Sequence, residues 1–168
     1  SLDTTGAQMT GTLPSSIGNL LLLTDVALSN NYYTSTLPTT LSRLTNLNSL
    51  DLSHNKFRGN VFATLSGLST LFSLSLSHNS FTGTLPSTFG NNFPNLYSFS
   101  AFNNSFHGSI PASVGNIARL DSFDVSNNFL VGSIPSTVNS LSSLVYFALS
   151  SNKLTGTIPN SFQQMSSL

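Results

Sequence analysis

The chain has 168 residues, with five basic and five acidic side chains that cancel to a formal net charge of zero. Charged residues are only 6% of it, about a quarter of the usual share, which excludes a nucleic acid or anionic membrane held by bulk charge. The absence of cysteine excludes a disulfide framework, no apolar run approaches the roughly 18 residues of a membrane span, and 39% apolar content supports a packed core.

In chain order, the predicted elements are copies of one unit. Residues 1–19 are a worn first copy, with Ala7 and Met9 where later copies have an asparagine and a large side chain. The following copies cover 20–43, 44–67, 68–92, 93–116, 117–140 and 141–164, and a truncated one covers 165–168 with Met165 and Leu168. An asparagine marks the register at 31, 55, 79, 104, 128 and 152, at intervals of 24, 24, 25, 24 and 24. The extra residue falls in the loop-like string Gly90-Asn91-Asn92-Phe93-Pro94.

Each copy opens L-x-x-L-x-x-L-x-L-x-x-N, as in Leu44, Leu47, Leu50 and Leu52, or with replacements in Phe93, Leu96, Phe99 and Ala101. A large residue follows the asparagine by two: Tyr33, Phe57, Phe81, Phe106, Leu130, Leu154. Glycine comes next, except at Ser35. An aliphatic-proline pair then recurs, except at Val61-Phe62.

The L-x-L alternation predicts a short strand with one apolar side. An asparagine at its end predicts an amide bonded to turn backbone that has no strand partner, repeated from coil to coil. Glycine lets the chain turn and proline ends regular pairing. Ser16, Thr40, Thr64, Thr88, Ser113, Thr137 and Ser161 are expected to cap the helical turn that follows. One such unit cannot bury its own apolar residues, but stacked units bury a continuous core.

The pattern L-x-x-L-x-x-L-x-L-x-x-N-x-L-x-G-x-I-P, carried through nearly the whole chain, resembles the plant-type, 24-residue leucine-rich repeat. The resemblance extends to ectodomains of receptor-like kinases and receptor-like proteins and to polygalacturonase-inhibiting proteins. It implies an α/β solenoid: a right-handed superhelix of about seven coils, a parallel β-sheet on the concave face, a second short sheet, and 3₁₀ turns on the convex side. It also implies an extracellular or cell-surface location and partners bound on the concave face. The cysteine-paired caps usual in such ectodomains are missing, so the chain is expected to be a fragment of a longer array, or to have its ends covered by neighbours.

The register maps exposed columns onto that face. The first holds Thr24, Asn48, Phe72, Tyr97, Asp121 and Val145, and Tyr146 closes the second. Phe72, Tyr97 and Phe102 are expected to face solvent together as a binding patch with His78 and Asp124 beside it, because planar rings bind sugar faces or apolar side chains. The alternative stays open that Phe102 turns inward and the others are ordinary surface aromatics. Four of the five acids, Asp25, Asp51, Asp121 and Asp124, map to the face, and no basic residue does. His54 and His78 share a column, but two imidazoles with no further ligand are a poor zinc site.

No catalytic arrangement, cofactor motif or phosphate loop stands out. Asn103 heads the one N-x-Ser/Thr sequon and is a candidate glycosylation site. The expected function is therefore non-enzymatic binding of a protein or glycan, or adhesion. Two alternatives are a structural stretch of a coat or polymer stacked end to end, and ice binding through the pairs Thr10/Thr12, Thr34/Thr36, Thr82/Thr84 and Thr155/Thr157. Arg58, His107 and Val131 interrupt that last ladder.

Overall fold

A computed structural model describes residues 1–159 and 162; Ser161, Met165 and Leu168 lie outside the described residues. The L-x-L segments become the strands Leu2–Asp3, Asp25–Ala27, Ser49–Asp51, Ser73–Ser75, Ser98–Ser100, Ser122–Asp124 and Tyr146–Ala148. All pair in parallel, in chain order, as one sheet. Register follows the repeat: Val26 opposes Leu50, Leu50 opposes Leu74, Leu74 opposes Phe99, and Phe99 opposes Phe123. These side chains are buried in one continuous core, with Leu50, Leu74 and Phe99 at most 1% exposed.

Beyond each asparagine a second parallel sheet runs from Thr10–Thr12 through Tyr32–Ser35, Lys56–Gly59, Ser80–Thr84, Ser105–Gly108 and Phe129–Gly132 to Lys153–Leu154. Its inward residues form an aromatic spine. Tyr33, Phe57, Phe81 and Phe106 stack at centroid spacings of 5.8, 6.1 and 6.4 Å.

The asparagine column joins the two sheets. Asn79 Nδ2 donates to Leu52 O of the preceding coil at 2.9 Å and to Leu76 O and Ser77 O of its own turn. Its Oδ1 accepts the Phe57 N–H at 3.0 Å. Asn31, Asn55, Asn104, Asn128 and Asn152 repeat this set. Each amide thus satisfies backbone groups where the chain leaves the first sheet.

Three local expectations are corrected. Proline, not a hydroxyl, holds the N-cap position at Pro14, Pro38, Pro111 and Pro135; Thr88 does hold it before Phe89–Asn92, but none of these caps makes a side-chain bond. The hydroxyl column bridges coils instead: Thr40 Oγ1 donates to Ser15 O and Thr137 Oγ1 to Ala112 O, both at 2.6 Å. Close approach explains the difference, since a Cβ added to Gly18 would lie 2.3 Å from Thr40 O, and one on Gly115 2.2 Å from Thr137 O. Coils that near present the hydroxyl with a neighbour's carbonyl before its own turn.

The second correction concerns the turns themselves. Among the described residues, four are 3₁₀ elements, but Phe62–Leu65 and Phe89–Asn92 are α-helical. The first lacks the proline at position 62, so Val61 is free to take helical φ −65°, ψ −35°. The second contains the inserted residue. Third, the threonine pairs do not form a flush ladder. The second sheet is staggered, so Thr34 opposes Thr12 but also Lys56, and Thr84 opposes His107.

Candidate functional site

The exposed side of the first sheet is built by the repeat, and its residues stand at strand spacing. Backbone bonds tie the first column together: Phe72 N to Asn48 O at 2.8 Å, Tyr97 N to Phe72 O at 2.8 Å, Asp121 N to Tyr97 O at 2.9 Å, Val145 N to Asp121 O at 2.8 Å. Because the column holds neighbours in register, the Phe72 and Tyr97 rings stack at 5.0 Å with 6° between planes. They remain 47% and 40% exposed, in a chain that buries most of its other phenylalanines. The next residue, Asp121, raises the Tyr97 phenol above its ordinary pKa, by accepting its hydrogen bond and by its negative charge. Val145 and Tyr146 continue the rail, 55% and 54% exposed.

Phe102 is elsewhere. It is half-buried at the far end of the strands, where its ring meets His78 edge-on at 4.9 Å. It lies five positions beyond Tyr97, about 16 Å of extended chain. The expected trio is therefore two clusters: the stacked pair at the strand entrances, and His54, His78, Phe102 and Asn103 at the exits. His54 and His78 stack at 4.0 Å, and Asn103 Nδ2 lies 3.0 Å from His78 Nδ1. Asp124 Oδ1 accepts the Ser126 N–H at 2.9 Å and the Ser126 hydroxyl, so that oxygen is committed to the turn. Asp51 does the same for Ser53.

One determinant of the exit cluster escaped the sequence reading. Asn30, His54, His78, Asn103, Asn127 and Ser151 all have φ between 52° and 56°. The three asparagines in that column were the available signal, since asparagine tolerates left-handed backbone better than most residues. The conformation swings both imidazoles outward and into contact.

Partial burial holds the His78 imidazole below its ordinary value of 6.5, and the His54 charge lowers it further. The native stack resists protonation that the unfolded chain accepts, so stability contributed here is present above 6.5 and is lost as pH falls from there through the lower native value. NMR titration of the imidazole protons is expected to show His78 titrating below 6.5, and His54→Asn is expected to return it towards 6.5.

Charge on the molecule is segregated more fully than the register implied. Asp3 lies on Leu2–Asp3 and pairs with Ala27, so all five acids occupy the first sheet or its strand entrances. Of the five bases, Lys56, Arg58 and Lys153 lie on the second sheet, Arg43 on the turn Thr39–Arg43, and Arg119 in the connection after Ala112–Asn116. Among the described residues, no group of three or more His, Cys, Asp or Glu could hold a metal ion, and no helix is long and apolar enough to cross a membrane.

Stacked coils joined by an amide ladder, with an exposed polar and aromatic sheet face, define a repeat solenoid. The chain belongs to the leucine-rich repeat family, whose pattern matches residues 22–81 and 118–168. No curated protein matches it. Solved structures do. It is similar to the LRR ectodomain of the plant membrane receptor kinase GASSHO1/SCHENGEN3 from Arabidopsis thaliana, in complex with CASPARIAN STRIP INTEGRITY FACTOR 2: 38% identity, TM-score 0.90, over 95% of this chain and 19% of that one. The Arabidopsis receptor kinase HAESA, in complex with the peptide hormone IDA and the co-receptor SERK1, matches at 26% identity and TM-score 0.81, over 95% of this chain and 30% of that one. The LRR ectodomain of the receptor kinase SOBIR1 from Arabidopsis thaliana matches at 37% identity and TM-score 0.69, over 73% and 66%. The chain thus spans less than a third of the first two.

Proposed function

We propose that this chain is a non-enzymatic recognition module, part of an extracellular receptor-like protein, that binds a peptide or protein ligand across the face of its first sheet. The carrying observation is the stacked, exposed pair Phe72–Tyr97, because a solvent-facing ring stack on an otherwise polar sheet is what a ligand's side chains would cover. The receptor kinase HAESA, a relative in fold, is seen with a peptide hormone, which favours a peptide. Tyr146 extends the anchor surface, and Asp124 and the His78–Phe102 cluster flank it. A glycan is the second reading, favoured by the register column Ser73, Ser98 and Ser122, in which Ser73 and Ser98 each follow a ring residue in sequence.

Asn103 is proposed to carry a glycan. It is exposed, and a sugar there would cover the exit cluster while leaving the ring pair about 15 Å away free. The binding test is the double variant Phe72→Ala with Tyr97→Ala, panned beside the wild type against a random peptide display library and a glycan array. Loss of the wild type's captured ligands with unchanged thermal unfolding supports the reading. Ligands that bind the variant equally well overturn it.

A further inference from the structure

We infer that the rail Phe72–Tyr97–Asp121–Val145 selects an extended peptide carrying a basic residue two positions away from an apolar one. This deepens the peptide reading above and rests on it.

Phe72 stacks on one face of Tyr97, which remains 40% exposed, and the next position of the same column beyond Tyr97 supplies a carboxylate. An Arg or Lys side chain set over the other face of Tyr97, between that ring and Asp121, meets the ring quadrupole and the carboxylate together. The phenol of Tyr97 already responds to the Asp121 charge, which places the two groups within one electrostatic site. Elsewhere the molecule meets this need internally: Lys56 lies 5.4 Å from the Tyr32 ring centroid, and Lys153 5.4 Å from that of Phe129. Both those pairs belong to the second sheet. The first sheet and its strand entrances carry the rings and all five acids but no Lys or Arg, so a cation on a ligand would complete the site.

Spacing supplies the second half. Successive coils are about 4.8 Å apart, so a point between Tyr97 and Asp121 lies about 7 Å from Val145 along the solenoid axis. Alternate side chains of an extended peptide recur at nearly that distance. A peptide running along the axis therefore sets an apolar side chain on Val145 when its basic side chain sits on the rings.

A random twelve-residue display library panned on the wild-type chain is the probe, and the enriched peptides are then synthesised for affinity measurement. The expected consensus has Arg or Lys two positions from an apolar residue. Asp121→Asn, which keeps an acceptor for the Tyr97 phenol, is expected to weaken such peptides about five- to tenfold. Asp25→Asn makes the same charge change on the same face four strands away, about 19 Å and beyond the Debye length, and is expected to change affinity less than twofold. Replacing the peptide's basic residue by norleucine should remove its sensitivity to Asp121→Asn. Ring-dependent peptides without an enriched base, or equal losses from both Asp variants, overturn this inference alone. Failure to enrich any ring-dependent peptide overturns the peptide reading and this inference with it.

Discussion

Replacing Asn128 by alanine is expected to destabilise the chain by about 3–5 kcal/mol. The side chain is 6% exposed and makes four bonds. Its Oδ1 accepts the Phe106 N–H at 2.9 Å, and its Nδ2 donates to Ala101 O at 2.9 Å and to Val125 O and Ser126 O at 3.1 Å. Alanine removes all four, leaves the buried Phe106 N–H without its acceptor, and leaves Ala101 O only the longer 3.3 Å bond from Asn104 Nδ2. An orphaned buried group costs about 1–3 kcal/mol, far more than the net worth of a bond that water could replace. Thermal unfolding should shift downward by about 10 °C for a chain of this size. The neighbouring Asn127→Gly is the control: that residue is exposed with φ at 53°, so glycine should cost nothing measurable. Equal stability of Asn128→Ala and wild type would mean the amide column decorates the fold and does not hold it.

The substitution Phe62→Pro makes the third copy match its fellows and is nonetheless expected to cost about 4 kcal/mol or more. Phe62 is 3% exposed, and its ring lies among Phe89, Phe93, Phe99 and Phe106 at 5.4 to 6.3 Å. Removing it opens a cavity among rings that cannot collapse far, since each is pinned by neighbouring coils. Proline adds a second cost by driving Val61 out of its helical conformation, and Val61 is itself buried. Phe62→Leu should cost only about 1–1.5 kcal/mol, because it keeps most of the volume and the backbone. Chemical denaturation of the two variants separates these terms. A Phe62→Pro protein as stable as wild type would show that repeat consensus outweighs local packing here.

Both variants bear on what the sequence could disclose. Columns of one residue type were legible because a 24-residue period converts sequence spacing into stacking. Asn31 to Asn152, the core leucines and the spine from Tyr33 to Phe106 all follow from it. Features that depend on distance within one coil were less so. Phe72, Tyr97 and Phe102 map to the same face, but residues 97 and 102 sit at opposite ends of a strand, and only the pair sharing a column meets. The hydroxyl column was read locally as caps, whereas Gly18 and Gly115 bring the coils close enough for Thr40 and Thr137 to bond across them. Departures from the repeat, such as Phe62 and the insertion near Gly90, alter turn type through contacts that periodicity does not describe.

The proposal that a ligand lies along the first sheet can be read directly by amide hydrogen exchange with and without a peptide enriched on the chain. Slowed exchange is expected at and beside Phe72–Ser75, Tyr97–Ser100 and Asp121–Asp124, fading towards Asp25–Ala27. Slowing centred on Ser80–Thr84 and Ser105–Gly108 of the second sheet, with the first unchanged, would contradict it.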